Sequence, residues 1–159
     1  MFRIGVVAVV AGALCLAAAA QADRGLRPAE PAGKYMTGVV KQKLANEYDL
    51  AWQSLYPGHQ QVAPLEAYVG CESLTAAAGE LVAIKVLRVF DERIRVAGER
   101  RSTMTRAVRV RVTVVSPIYT PFPVTITQTF HAIAVDGRWT WILSQYQYSY
   151  YSQGSCPYA

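Results

Sequence analysis

"VTITQTFHAIAVDGRWTWILSQYQY", residues 124–148, is the stretch whose reading decides the fold. Asp136-Gly137 lies between two runs that alternate in polarity, the strongest short-range signal for a two-residue β-hairpin. Such a loop sets Val135 opposite Arg138, then Ala134 opposite Trp139, Ala132 opposite Trp141, Phe130 opposite Leu143 and Gln128 opposite Gln145. Small residues opposite large ones, on a face shared with Val124 and Ile126, are what a packed sheet surface needs. Thr127, Thr129, His131, Thr140 and Ser144 fall on the other, polar face. The pattern predicts strands over 124–135 and 138–148 with one apolar side.

Working back along the chain, "TRAVRVRVTVV" (105–115) is a further strand, with Val108, Val110, Val112 and Val114 on one face and Arg109, Arg111 and Thr113 on the other. "ELVAIKVLRVFDERIRV" (80–96) also alternates, except that Arg88 and Glu92 intrude, so a bulge is expected near one of them. "SPIYTPFP" (116–123) is a proline-broken connection. Before the strands the period changes to that of a helix. Met36, Val39, Val40, Leu44, Tyr48, Ala51, Trp52 and Leu55 form one stripe, which predicts a single helix of about 20 residues ending at "YPG" (56–58). Pro64 opens a short second helix whose last turn holds Cys71. The expected fold is therefore α+β: a long N-terminal helix and a short second helix packed on a curved antiparallel meander of about four strands.

The first 22 residues read as a signal peptide. Arg3 is the positive start, residues 4–20 are apolar and uncharged, and Ala20-Gln21-Ala22 is a small-x-small cleavage pattern. An uncleaved anchor is the alternative, although 17 residues are short for a hydrocarbon core of about 30 Å. Residues 23–33, polar with two prolines, read as a disordered leader, which leaves 34–159 as one domain. Export leaves two cysteines, and Cys71 with Cys156 in an oxidising compartment reads as a disulfide. The competing reading is a catalytic thiol. It needs a neighbouring histidine or another cause of a low pKa, and neither "YVGCESL" nor "GSCPYA" supplies one.

The chain carries 16 Lys and Arg against 11 Asp and Glu. Nine of the positive side chains crowd into residues 85–111, against only Asp91, Glu92 and Glu99. An exported protein rarely meets nucleic acid, so none is expected as a partner. The functional reading of this patch, with Arg109 and Arg111 at its centre, is an anionic cell-envelope component. A solvated sheet face is the plainer reading.

Helix first and twisted meander after it resemble the nuclear transport factor two-like (ketosteroid isomerase-like) superfamily, and more narrowly its small exported actinobacterial members. "AWQSLYPGHQQVAPLEAYVGCE" (51–72), "DGRWTWIL" (136–143) and "YYSQGSCP" (150–157) carry the likeness. The resemblance implies a cone with an internal cavity. It implies no particular activity, because members of one fold carry unrelated functions.

No metal-ligand spacing, Gly-rich phosphate loop or Ser-His-Asp grouping is visible, so no cofactor or metal is expected. The preferred reading is a non-enzymatic module that binds a small apolar molecule. Tyr48, Trp52, Trp139 and Trp141 would be the walls, and Gln128 and Gln145 the orienting polar groups. The alternative is proton-transfer chemistry, isomerase- or dehydratase-like, with Glu92 or His131 as base and Tyr48 as hydrogen-bond donor. His131 and His59 otherwise read as surface histidines.

Overall fold

The computed structural model describes residues 28–74, 80–116 and 120–157. The expected signal peptide and residues 23–27 of the expected leader lie outside these residues. The elements are α1 (Ala32–Leu44), α2 (Tyr48–Gln53), α3 (Pro57–Val62), α4 (Leu65–Leu74), β1 (Glu80–Arg95), β2 (Ser102–Ser116), β3 (Thr120–Val135), β4 (Arg138–Trp141) and α5 (Gln145–Tyr151). The strands form one antiparallel sheet in the order β1-β2-β3-β4. The chain is α+β, helices first and sheet after, as its periodicities imply.

The single long helix is a correction. The apolar stripe continues from Met36 to Leu55, but the backbone breaks at Asn46, whose φ is 61°. Glu47 N–H donates to the Gln42 carbonyl and Asn46 N–H to the Lys43 carbonyl. Those two bonds close α1 in the Schellman pattern, with a left-handed residue just beyond the cap. Tyr48 then starts α2 and its hydroxyl donates to Asn46 Oδ1 at 2.7 Å. "YPG" likewise does more than stop a helix, because Pro57 occupies the first turn of α3. α1 opens at Ala32, inside the stretch read as leader, and the Glu30 carbonyl accepts the Trp139 indole N–H at 2.7 Å.

The Asp136-Gly137 turn holds. Both residues have positive φ, 48° and 73°, as a type I′ turn requires, and the partners are Val135 with Arg138, Ala134 with Trp139 and Ala132 with Trp141. β1 bulges twice, at Val82 and at Leu87, the second beside Arg88. The fourth strand is the other correction. β4 stops at Trp141, and Ser144 begins a capping box: its Oγ accepts Gln147 N–H, and Gln147 Oε1 accepts Ser144 N–H. Residues 145–151 are therefore helix. Gln145 does not face Gln128, which pairs with Val110 instead.

The core lies between the helices and the valine side of the sheet, around Met36, Tyr68, Val108, Val110, Ala132 and Trp141, all buried. Trp141 ties the layers together. Its indole N–H donates to the Ala51 carbonyl at 2.7 Å, its backbone N–H to the Ser54 carbonyl, and its carbonyl accepts Tyr56 N–H. The Cys71–Cys156 disulfide is formed and joins α4 to the C-terminal tail across 85 residues. Chain-entropy reasoning gives such a closure about 4–5 kcal/mol.

Candidate functional site: a cavity at a free strand edge

A cavity of about 530 Å³ opens between α1, the sheet and the segment that leaves β4. Its apolar surface comes from Val39 and Val40 of α1, from Val112, Val114, Ile126 and Phe130 of β2 and β3, and from Leu143. It exists because β4 is short. A fourth strand continuing to Tyr148 would run alongside Gln128. Instead the chain turns away into α5 and leaves the lower half of β3 uncovered, with Ile126 53% exposed and Val124 40% exposed on the side that is apolar higher up.

The polar part of the lining includes three amides, Gln128, Gln145 and Gln147, and two cations, Lys43 and Arg95. Gln128 and Gln145, both exposed, reach it from β3 and from the first turn of α5. They are not cross-strand partners, yet they border the same space. Lys43 enters from α1, with Nζ 3.1 Å from the Glu72 carboxylate and 5.0 Å from the centroid of the Trp141 ring. Glu72 is buried, so its carboxylate is tolerated there because a cation offsets the cost of removing it from water.

Of the expected aromatic walls, only Trp141 lines this cavity. Tyr48 is buried at the α1–α2 break and bonded to Asn46. The Trp52 indole donates to the Ala63 carbonyl at 2.7 Å, and Trp139 is held at Glu30. These three aromatics pin the helices and the N-terminal segment in place. Tyr48 does not line the cavity whose rim holds His131.

Glu92 and His131 do meet. His131 Nε2 lies 2.8 Å from Glu92 Oε2, and His131 is part of the cavity rim. The two come from β1 and β3 and meet diagonally across β2, where Glu92 pairs with Thr105 and His131 with Ala107. Ala107 is buried. The pairing was invisible in the sequence because it spans 39 residues and depends on the bulge at Leu87 that resets the parity of β1.

On this same face stand Arg109 and Arg111, both exposed. Arg109 faces Arg88 on β1 and Thr129 on β3; Arg111 faces Lys85 and Thr127. Like charges directly opposite are unfavourable. Among the described residues none of the four forms an ion pair, and the one relief is Arg88, stacked 4.9 Å from the Phe90 ring. The four cations form an unneutralised strip bordered by threonines.

His59 is a further correction. It is 1% exposed, not a surface residue. Nδ1 accepts the Leu143 N–H at 2.9 Å, which leaves the proton on Nε2 to donate to the Ala97 carbonyl at 3.0 Å. Burial pushes its pKa below the usual histidine value, against smaller opposing effects of the Ala97 bond and Glu99. His59 thus joins α3, the β1–β2 loop and the β4–α5 junction, and it holds Ala97 and Leu143 at the cavity wall. Gly98 completes that contact: its φ is +80°, and a side chain there would strike the Tyr148 hydroxyl.

Among the described residues no group of three His, Cys, Asp or Glu side chains is placed to hold a metal ion, and no helix is long and apolar enough to cross a membrane. No family model matches the chain, and no curated protein matches it.

Proposed function

We propose that this protein is an exported binding module of the nuclear transport factor two-like type, which takes an apolar ligand into the cavity between α1 and the sheet. The observation that carries this reading is the lining itself: a mostly apolar space of about 530 Å³ whose polar part includes three amides, Gln128, Gln145 and Gln147, and two cations, Lys43 and Arg95. Ligand sites have this composition, an apolar wall that supplies affinity and a few polar groups that orient. The Cys71–Cys156 bond supports an oxidising compartment outside the cytoplasm. Titration with 1-anilinonaphthalene-8-sulfonate tests the cavity. Saturable dye fluorescence sensitised by tryptophan, and lost in Trp141→Phe, is the expected result. A folded protein that gives no saturable signal contradicts the reading.

A second reading is favoured by one observation, the 2.8 Å contact of His131 and Glu92 at the rim. A carboxylate that orients an imidazole is the arrangement a general base uses. In that reading Glu92 positions His131, and His131 takes a proton from a substrate seated in the cavity.

A further inference from the structure

Four consecutive residues of β3, Gln128, Thr129, Phe130 and His131, all line the cavity. Side chains on a strand alternate between faces, so a cavity bounded by one face would be lined by every second residue. A run of four means that the cavity meets the strand at its edge. Which backbone groups lie on that edge follows from the hairpin. In a two-residue loop the closing pair, Val135 and Arg138, is hydrogen-bonded in both directions, so odd-numbered residues of β3 turn their N–H and C=O toward β4. β4 ends opposite Ala132. Below that point Thr125, Thr127 and Thr129 direct their backbone groups past the end of β4, and no backbone partner among the described residues meets them there.

This edge is also undefended. Exposed edges are usually blunted by charge. β1, the opposite edge of the sheet, carries Lys85, Arg88, Asp91, Glu92, Arg93 and Arg95. β3 has no charged residue from Thr120 to Val135 apart from His131, when that is protonated. Only Pro121 and Pro123, which have no N–H, close its lower end.

We propose that the ligand of the cavity is an extended peptide segment of a partner protein, which adds to β3 along Val124–Phe130 as an antiparallel strand in line with β4. The proposal rests on the cavity reading given above. The docked strand presents two faces. Its side chains on the Ile126–Phe130 side enter the cavity and are apolar. Its side chains on the other side lie beside Thr127 and Thr129, with Arg109 and Arg111 one strand further in, and are acidic. A contact over an intervening strand is one this sheet already makes: Glu92, the partner of Thr105, and His131, the partner of Ala107, meet at 2.8 Å across β2. An acid on the docked strand meets Arg109 across Thr129 in the same manner, which gives the unneutralised cations their counter-charges. The fitting partner sequence therefore alternates apolar and acidic residues over about seven positions.

The test uses the purified disulfide-bonded protein and the peptide acetyl-Val-Glu-Val-Glu-Val-Glu-Val-amide, with calorimetry for affinity and amide hydrogen exchange for location. Saturable binding is expected, with the amides of Thr125, Thr127 and Thr129 protected. In the antiparallel arrangement the glutamate N–H groups face β3 and the valine N–H groups face away. N-methylation of the three glutamates should weaken binding at least tenfold, and N-methylation of the interior valines should not. Arg109→Glu with Arg111→Glu should also cost tenfold or more and abolish the preference over the Val-Lys version of the peptide. A glutamate-methylated peptide that binds as tightly as its parent overturns the proposal, and so does equal affinity for the lysine version. If the apolar dye binds but no peptide binds or displaces it, this inference fails and the cavity reading stands. If neither binds, both fall.

Discussion

His59 shows how one side chain decides the shape of the cavity wall. Its two ring nitrogens satisfy an amide N–H at Leu143 and a carbonyl at Ala97. Removing the ring leaves two buried polar groups unpaired, at about 1–3 kcal/mol each. His59→Phe should therefore lower stability at pH 7.5 by about 3 kcal/mol. The pH dependence has a definite sign. The folded pKa lies below that of the unfolded chain, so the unfolded state binds more protons once pH falls under about 6.5. The contribution of neutral His59 is complete above that pH and is lost on acidification. Tyr56, Tyr148 and Glu99 are its ring and charge neighbours, and of these only Glu99 opposes the loss by favouring the charged ring. Urea unfolding between pH 7.5 and 5 should show the wild type losing more stability than His59→Phe; equal slopes would contradict the assignment. None of this was legible beforehand. "YPGHQQ" reads as a polar loop, and the partners of His59 lie 38 and 84 residues away.

At the scale of elements, what could be read was periodicity, and what could not was where a period is interrupted without changing phase. The valines of β2 and the Asp-Gly turn carried two strands and a register unaided. The stripe from Met36 to Leu55 is buried or half-buried throughout, yet the helix is two helices broken at Asn46, and Leu55 lies beyond the second. Asn in a left-handed conformation at that point was a readable signal. Asn46→Val should cost about 1–2 kcal/mol by forcing a β-branched residue to positive φ, and Asn46→Gly should cost far less. Equal urea midpoints for the two variants would contradict the break. The C-terminal error has the same origin. "SQYQYSYY" alternates like a strand, while Ser144 and Gln147 at i and i+3 spell a capping box. Two local signals disagreed, and the cap prevailed.

Across the whole molecule that early stop is what makes a cavity. Had β4 run on, Gln145 would have faced Gln128 inside a closed sheet. The chain turns away instead, and both amides border an open apolar space backed by α1, with the Cys71–Cys156 bond holding the tail behind it. The two glutamines border one cavity on a geometry other than the expected cross-strand pair, while Tyr48, Trp52 and Trp139 belong to the scaffold. The claim that this space exists to hold a ligand is tested most directly by native mass spectrometry of the protein purified from its own host, beside Gln128→Leu with Gln145→Leu. Both side chains are exposed, so the double variant should fold with an unchanged circular dichroism spectrum. The account predicts a bound mass on the wild type that the folded variant has lost. A wild type that carries no bound mass, or a variant that keeps it in full, would contradict the account.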